Sequence, residues 1–174
     1  LTRFAIGRYF RGMVKGLLIA AALLLGLIGI MAGIGAALPV NHTASLQAVY
    51  PAPRDSVYAL ITDLQRFTEW RSGLERVEQR PPASGKPRWV EAGGDGEILF
   101  EAAESERGRR HVTRIADPEL PFGGTWTFEL EDAPGGTLLR ITEDGEVYNP
   151  IFRFMSRFVF GHRAGVEQYH SDLA

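Results

Sequence analysis

The sequence predicts an α+β domain in which an antiparallel sheet of about seven strands packs around one long C-terminal helix, with a single membrane-spanning helix in front of it. The first observation is an unbroken apolar run near the N-terminus. The second is a series of short segments with alternating apolar residues, divided by turns roughly ten residues apart. The third is a C-terminal segment whose apolar residues recur on one helical face, which needs an apolar partner such as the sheet.

The apolar run extends without interruption from Leu17 to Leu38, a length of 22 residues. At about 1.5 Å per residue it would be roughly 33 Å long, enough to cross a hydrocarbon core of about 30 Å. Four basic residues and no acidic residue lie before Pro39. The positive-inside rule therefore places segment 1–16 in the cytoplasm, the anchor at 17–38, and a domain of residues 39–174 outside the cytoplasm. A cleaved signal peptide is the alternative, but its apolar region is usually only about 7–15 residues.

Small residues within this run offer a dimerisation surface. Gly29 and Gly33 have the GxxxG spacing that lets two membrane helices approach closely, so a homodimer through this motif is one possibility. The alternative is that glycine and alanine are simply common in membrane helices.

Charge and composition exclude several classes of function. Four of the 19 basic residues lie in segment 1–38, which leaves 15 basic against 21 acidic residues and a net charge of −6 for the rest. Nucleic-acid binding needs clustered Lys and Arg, so no nucleic-acid partner is expected. The chain has no cysteine, which excludes disulfides, thiolate chemistry and cysteine-based metal sites.

The folded domain begins with a strand over 42–50, followed by two short helices. Pro53 opens the first helix, and the second ends near Trp70. The predicted strands then cover 74–79, 88–92, 97–104, 109–115, 125–131 and 137–148, with 80–87 as a loop and hairpin turns at Gly93–Gly96 and Pro134–Gly136.

The C-terminal helix is predicted over 149–174. Asn149 can cap its first turn, and Pro150 suits the first helical position. One face then carries the apolar stripe, whose members are Ile151, Phe154, Met155, Phe158, His162, Gly165, Val166, Tyr169 and Leu173.

This order of elements resembles the START-like superfamily, also called the polyketide cyclase/dehydrase and lipid-transport (SRPBCC) superfamily. The resemblance covers about residues 43–174. It is carried by the Ala52-Pro53 to Trp70 opening, the Gly135–Glu143 segment and the Asn149-Pro150 helix. It implies a helix-grip fold, with a curved sheet around the C-terminal helix enclosing a cavity. The anchor at 17–38 is not part of that pattern.

Within such a cavity, aromatic side chains and a few polar groups would line the ligand site. His162 lies on the apolar helix face, where it would orient a ligand or be a core histidine near a helix break. The candidate ligand-binding residues are Trp70, Trp89, Phe100, His111, Trp126, Phe128, Phe154, Phe158 and His162. We identify no catalytic motif, no metal site and no cofactor.

Three functions remain open from the sequence. The first is a membrane-anchored binder of an apolar or amphipathic small molecule, such as a lipid, an isoprenoid or a polyketide-like compound. The second is an interaction module with a filled core. The third is a cyclase/dehydrase-type enzyme, for which the sequence offers no clustered acid and base.

Overall fold

The structure is a computed structural model that describes residues 2–94 and 96–174, with side chains from Gly12 onward. Its first half contains α1 (Thr2–Ala37), β1 (Asn41–Tyr50), α2 (Arg54–Thr62), α3 (Phe67–Trp70), β2 (Leu74–Ala83), β3 (Lys86–Gly93) and β4 (Gly96–Glu106). Its second half contains β5 (Arg110–Ile115), β6 (Phe122–Ala133), β7 (Gly136–Val147), α4 (Pro150–Met155), a π-helical turn (Ser156–Phe160) and α5 (Ala164–Leu173). Leu1 and the side chains of Arg3, Arg8 and Arg11 in the predicted basic segment lie outside this description, as does Asp95.

The seven strands form one open antiparallel sheet in the order β1-β7-β6-β5-β4-β3-β2. Consecutive strands from β2 to β7 pair as hairpins, and β1 joins the sheet beside β7, with Leu46 opposite Ile141. The α+β fold class with an antiparallel sheet, two short helices and helical C-terminal elements is confirmed.

The strand boundaries differ from the prediction mainly at β2. The segment 80–87 was predicted as a loop, but β2 continues to Ala83, which pairs with Lys86 at the start of β3. Pro81 and Pro82 are tolerated because β2 is an edge strand, where a missing backbone donor breaks no ladder on the open side. The pairing register also shifts between Arg80 and Ala83, as expected where prolines interrupt a ladder.

The core lies between one face of the sheet and α2 and α5. Leu139 and Ile141 on β7 have no exposed surface, and neither does Val166 on α5. Burying side chains of this size contributes about 1.5–3 kcal/mol each. The remaining buried members of the cluster are Ala44, Val57, Ile61, Phe128, Leu130 and Tyr169.

The C-terminal helix is not continuous, which corrects the prediction over 149–174. It starts as predicted, because the Asn149 side-chain oxygen accepts hydrogen bonds from the amides of Ile151 and Phe152 at 2.9 and 3.2 Å. After α4 the chain forms the π-helical turn, in which the Gly161 amide donates to the Ser156 carbonyl at 3.0 Å. Gly161 has φ of 79°, a conformation that favours glycine and ends the helix.

This break changes which side chains face the interior. A π-helical turn closes i→i+5 hydrogen bonds, so residues beyond it no longer follow a 3.6-residue wheel. Phe158, predicted to face the core, is 58% exposed. Its predicted burial is therefore wrong.

The first helix contains a segment, Gly12–Ala37, that is long and apolar enough to cross a membrane. Its C-terminal end contacts α4 backbone to backbone: a Cβ at Gly35 would lie 1.8 Å from the Pro150 carbonyl oxygen. The Arg153 guanidinium donates to the Leu38 carbonyl at 2.8 Å. Among the described residues, a Cβ at Gly29 or Gly33 would meet no other group within 4 Å, and the homodimer stays a prediction.

Candidate functional site

A cavity of about 590 Å³ lies between the sheet and the C-terminal elements. This volume falls in the range of about 300–1,000 Å³ that is usual for small-molecule sites. Most of its wall is apolar and comes from α2, α3 and strands β3 to β6, through Ile61, Phe67, Trp89, Ile98, Phe100, Ile115, Trp126 and Phe128. A filled core, one of the alternatives from the sequence, does not fit a cavity of this size.

The cavity aromatics come together because the sheet register aligns their side chains on one face. Trp89 pairs with Phe100 across β3 and β4, and their rings stack at 5.9 Å. Trp126 and Phe128 alternate on β6, and both contact Tyr169 on α5. Five of the nine predicted site residues therefore line the cavity, namely Trp89, Phe100, Trp126, Phe128 and His162.

Two other predicted residues lie in the core away from the cavity wall. Trp70 packs edge-on against Tyr169 at 5.2 Å. His111 is buried on β5, and its Nδ1 lies 3.1 Å from the Ser105 hydroxyl. Burial lowers the pKa of His111 to about 4, so this histidine is neutral near pH 7.

The last two predicted residues lie on the C-terminal elements but outside the cavity. Phe154 and Phe158 pack against each other at 4.9 Å, and Phe158 faces outward. Phe152 on α4 and Phe160 at the end of the π-helical turn line the cavity instead. The helical wheel over 149–174 therefore selected the wrong pair of phenylalanines.

One end of the cavity carries a polar group that we call the Glu143 cluster, composed of His42, Glu143, Ser156 and His162. The His42 and His162 rings stack at 4.1 Å. The Glu143 carboxylate lies 3.9 Å from the His42 Nε2, and the Ser156 hydroxyl lies 3.0 Å from the His162 Nδ1. Gly145 makes this arrangement possible, because a Cβ there would lie 2.3 Å from the His42 ring.

The electrostatics of the Glu143 cluster favour uncharged side chains. Burial raises the pKa of Glu143 to about 7, whereas burial and the neighbouring His162 lower the pKa of His42. Burial and the nearby Arg157 lower the pKa of His162. Near pH 7 the two imidazoles are neutral, and Glu143 is present in both its protonated and its ionised form. The cluster can therefore donate hydrogen bonds to a ligand carbonyl or accept them from a hydroxyl.

A second polar group lies on the cavity wall at β3. The Glu91 carboxylate is buried and accepts from the Arg71 guanidinium at 2.8 Å and from the Trp89 indole nitrogen at 2.9 Å. The Arg71 guanidinium also lies over the Phe67 ring and the Tyr169 ring, at 5.2 and 5.3 Å from their centroids. The Arg71 charge is thus already paired with Glu91. The contacts of these two side chains hold the neighbouring part of the cavity wall in place.

Sequence reasoning missed Glu143, His42 and Glu91. A signal was present for Glu143, because it alternates in phase with Leu139 and Ile141 and so lies on the inward face of β7. A carboxylate on a buried strand face is a candidate site residue. His42 on β1 and Glu91 on β3 likewise lie on the inward faces of their strands. Only the sheet order, however, brings His42 next to Glu143. Within the described residues, no three metal-ligating side chains converge on one point.

The family described as "Polyketide cyclase / dehydrase and lipid transport" matches residues 50–165. The chain belongs to this family. The predicted START-like resemblance is therefore confirmed, and the matched segment contains most of the cavity wall. No protein of curated function matches the sequence.

Three solved structures illustrate the shared fold. A START superfamily protein from Mycobacterium smegmatis has 14% identity and a TM-score of 0.60, covering 76% of this chain and 94% of its own. A protein from Thermus thermophilus, TTHA0849, has 23% identity and a TM-score of 0.59, covering 76% and 92%. Ginseng major latex-like protein 151 from Panax ginseng has 10% identity and a TM-score of 0.59, covering 78% and 94%. In each comparison about a quarter of this chain lies outside the similarity.

Proposed function

We propose that this protein is a membrane-anchored binding domain that holds an apolar or amphipathic small molecule, of the lipid, isoprenoid or polyketide-like class, in its internal cavity. The observation that carries the proposal is the cavity of about 590 Å³, which combines an aromatic wall with one polar end. The aromatic wall would bury the apolar body of the ligand, and the Glu143 cluster would contact a hydroxyl or carbonyl group. Family membership supports the same class of ligand.

The anchor belongs to this proposal. With Leu17–Leu38 as an uncleaved span, the chain crosses the membrane once, its N-terminus is cytoplasmic and residues 39–174 lie outside the cytoplasm. Tethering would keep the cavity within reach of membrane-soluble ligands. A homodimer through Gly29 and Gly33 would be compatible with this arrangement, because both positions are open on the helix surface.

The proposal can be tested with the full chain in lipid nanodiscs and two photoreactive diazirine probes, a long-chain fatty alcohol and the alkane of equal length. Both probes should label cavity peptides, and excess unlabelled compound should suppress this labelling. The variant His162→Leu should weaken binding of the alcohol about 5- to 150-fold, equivalent to about 1–3 kcal/mol for an unpaired polar group, and leave the alkane unaffected.

The outcomes separate the parts of the proposal. If neither probe labels the cavity in competition with unlabelled compound, the cavity does not bind ligands of this class. If His162→Leu weakens both probes equally, the substitution disturbs the fold and His162 is not a polar contact.

A second candidate function is acid–base catalysis on the bound molecule, of the cyclase/dehydrase type. The specific observation is that Glu143, with a pKa raised to about 7, and two neutral imidazoles line the same cavity end. A general acid or base works best with a pKa near the working pH. Turnover of a bound polyketide-like compound that is abolished in Glu143→Gln, with binding retained, would favour this candidate over simple binding.

A further inference from the structure

Four large apolar side chains, close together in sequence on the C-terminal elements, are each exposed. Phe152 lies on α4, and Phe158, Val159 and Phe160 lie on the π-helical turn, and each is more than half exposed. We call residues 152–160 the mouth segment. Monomeric proteins in water rarely expose several contiguous aromatic side chains without a function for them.

The mouth segment begins directly beside the end of the membrane-spanning helix. Gly35 and Leu38, which contact Pro150 and Arg153, lie within the apolar run that ends at Leu38. Because those two anchor residues would lie at the edge of the hydrocarbon core, α4 must lie at the same depth. The apolar side chains that follow in sequence are therefore held at the membrane boundary by contacts within one chain.

The charges of this region suit a bilayer surface. Between Glu146 and Glu167 the sequence has no acidic residue, and it has three arginines, at 153, 157 and 163. Arg153 is bonded to the Leu38 carbonyl and the Arg163 guanidinium lies 3.6 Å from the Glu167 carboxylate. The exposed Arg157 is therefore the side chain that can place its guanidinium among lipid phosphates while its aliphatic stem remains in the apolar region. Phenylalanine side chains near such a cation are typical of helical segments that lie in the membrane interface.

The mouth segment is also part of the cavity wall. Phe152, Ser156 and Phe160 line the cavity while the two phenylalanines remain exposed, so the cavity reaches the surface at this segment. We propose that the mouth segment inserts into the leaflet at the C-terminal end of the anchor, so that the cavity opens into lipid. This inference rests on the proposed binding function, which the insertion would serve. It narrows the ligand class to amphipathic molecules resident in that leaflet.

The absence of cysteine allows a direct depth measurement on the full chain. Val159→Cys places a single label site on the mouth segment, and Val49→Cys is the matched control, because both valines are exposed to a similar degree, 58% and 50%. Val49 lies eight residues along β1 from Asn41, about 26 Å at 3.3 Å per residue, on the side away from the anchor junction. Phe158→Cys provides a second site should the Val159 variant not fold.

Each variant carries an NBD fluorophore in phosphatidylcholine–phosphatidylglycerol vesicles, with or without lipids bearing a nitroxide on the acyl chain. We expect the nitroxide lipid to reduce the fluorescence of a label at position 159 or 158 at least twofold, and aqueous iodide to have little effect there. The label at position 49 should show the reverse.

Quenching at position 159 by iodide but not by nitroxide lipid would overturn the inference, because the segment would then lie in water. Protection from both quenchers would also overturn it, since a second copy or another protein would then cover the segment. No ligand is needed for this measurement, so its failure is distinguishable from a failure of the proposed binding function.

Discussion

At the scale of single residues, Glu143 is the most informative side chain of the cavity. It lies on β7 between Ala44 on β1 and Trp126 on β6, with Gly165 of α5 near its carboxylate. A carboxylate surrounded by these groups loses most of its hydration, and the His42 Nε2, at 3.9 Å, lies beyond hydrogen-bond distance. The protein therefore stabilises the protonated form of Glu143, and a buried carboxyl group of this kind is typical of functional sites.

The stability of the protein should reveal this carboxyl group through its pH dependence. The folded-state pKa of about 7 exceeds the ordinary value of 4.5, so folding is favoured at low pH and this contribution is lost as the pH rises through 7. Glutamine remains neutral at every pH. Relative to the unmodified protein, Glu143→Gln should thus gain about 2 kcal/mol in the free energy of unfolding between pH 5 and pH 8.

Urea unfolding of the full chain in detergent micelles, followed by tryptophan fluorescence, measures this difference. Glu131→Gln, on the exposed end of β6, is the control and should show the same pH dependence as the unmodified protein. If the free energies of unfolding of the two variants change in parallel from pH 5 to pH 8, Glu143 does not hold a proton in the folded state.

At the scale of elements, the break between α4 and α5 decides the shape of the site. A continuous helix would have carried Phe154 and Phe158 across the sheet. The π-helical turn and Gly161 instead leave α5 to fill the core through Val166 and Tyr169, while α4 packs on the end of α1. The two halves of the predicted helix therefore have different partners.

The contact between α1 and α4 should depend on the absence of a side chain at Gly35. A valine there would force its side chain into the Pro150 backbone, and overpacking of this kind costs about 1–3 kcal/mol. We expect Gly35→Val to speed amide hydrogen exchange of residues 151–155 about tenfold, which corresponds to about 1.4 kcal/mol. Gly33→Val, on a part of α1 with no neighbour within 4 Å, should leave this exchange unchanged. Equal rates of amide exchange in the two variants would mean that the end of α1 does not hold α4 in place.

At the scale of the whole molecule, a helix long and apolar enough to cross a membrane is joined to a cavity-bearing domain with almost no linker. Only three residues separate α1 from β1, and the Val147 amide donates to the Val40 carbonyl in that connection at 2.9 Å. So short a connection restricts how the domain can turn relative to α1.

The orientation of the chain can be measured in bacterial spheroplasts. Protease added to intact spheroplasts should remove the domain after Pro39, because the four basic residues before the apolar run predict a cytoplasmic N-terminus. A tag fused before residue 1 should stay protected. Protection of the domain until the membrane is lysed would refute the orientation.

The sequence by itself determined the features that depend on local pattern. Alternating residues and glycine or proline turns predicted the strands, Asn149 and Pro150 predicted the start of α4, and Leu17–Leu38 predicted a helix of membrane-spanning length. These predictions succeeded because periodicity and capping act over a few neighbouring residues. The resemblance to a cavity-forming family, together with their aromatic character, suggested Trp89, Phe100, Trp126 and Phe128 as cavity residues, and all four line the cavity in the structure.

Only the tertiary structure decided the features that depend on distant residues. His42 and Glu143 are about a hundred residues apart and meet because β1 enters the sheet beside β7. The exposure of Phe158 and the cavity position of Phe160 follow from the π-helical turn, which a 3.6-residue wheel does not contain. Gly35, rather than Gly29 or Gly33, is the glycine in close contact, because α4 returns to the anchor after the whole sheet has formed. In each case the cause is a pairing across the chain, which local periodicity does not encode.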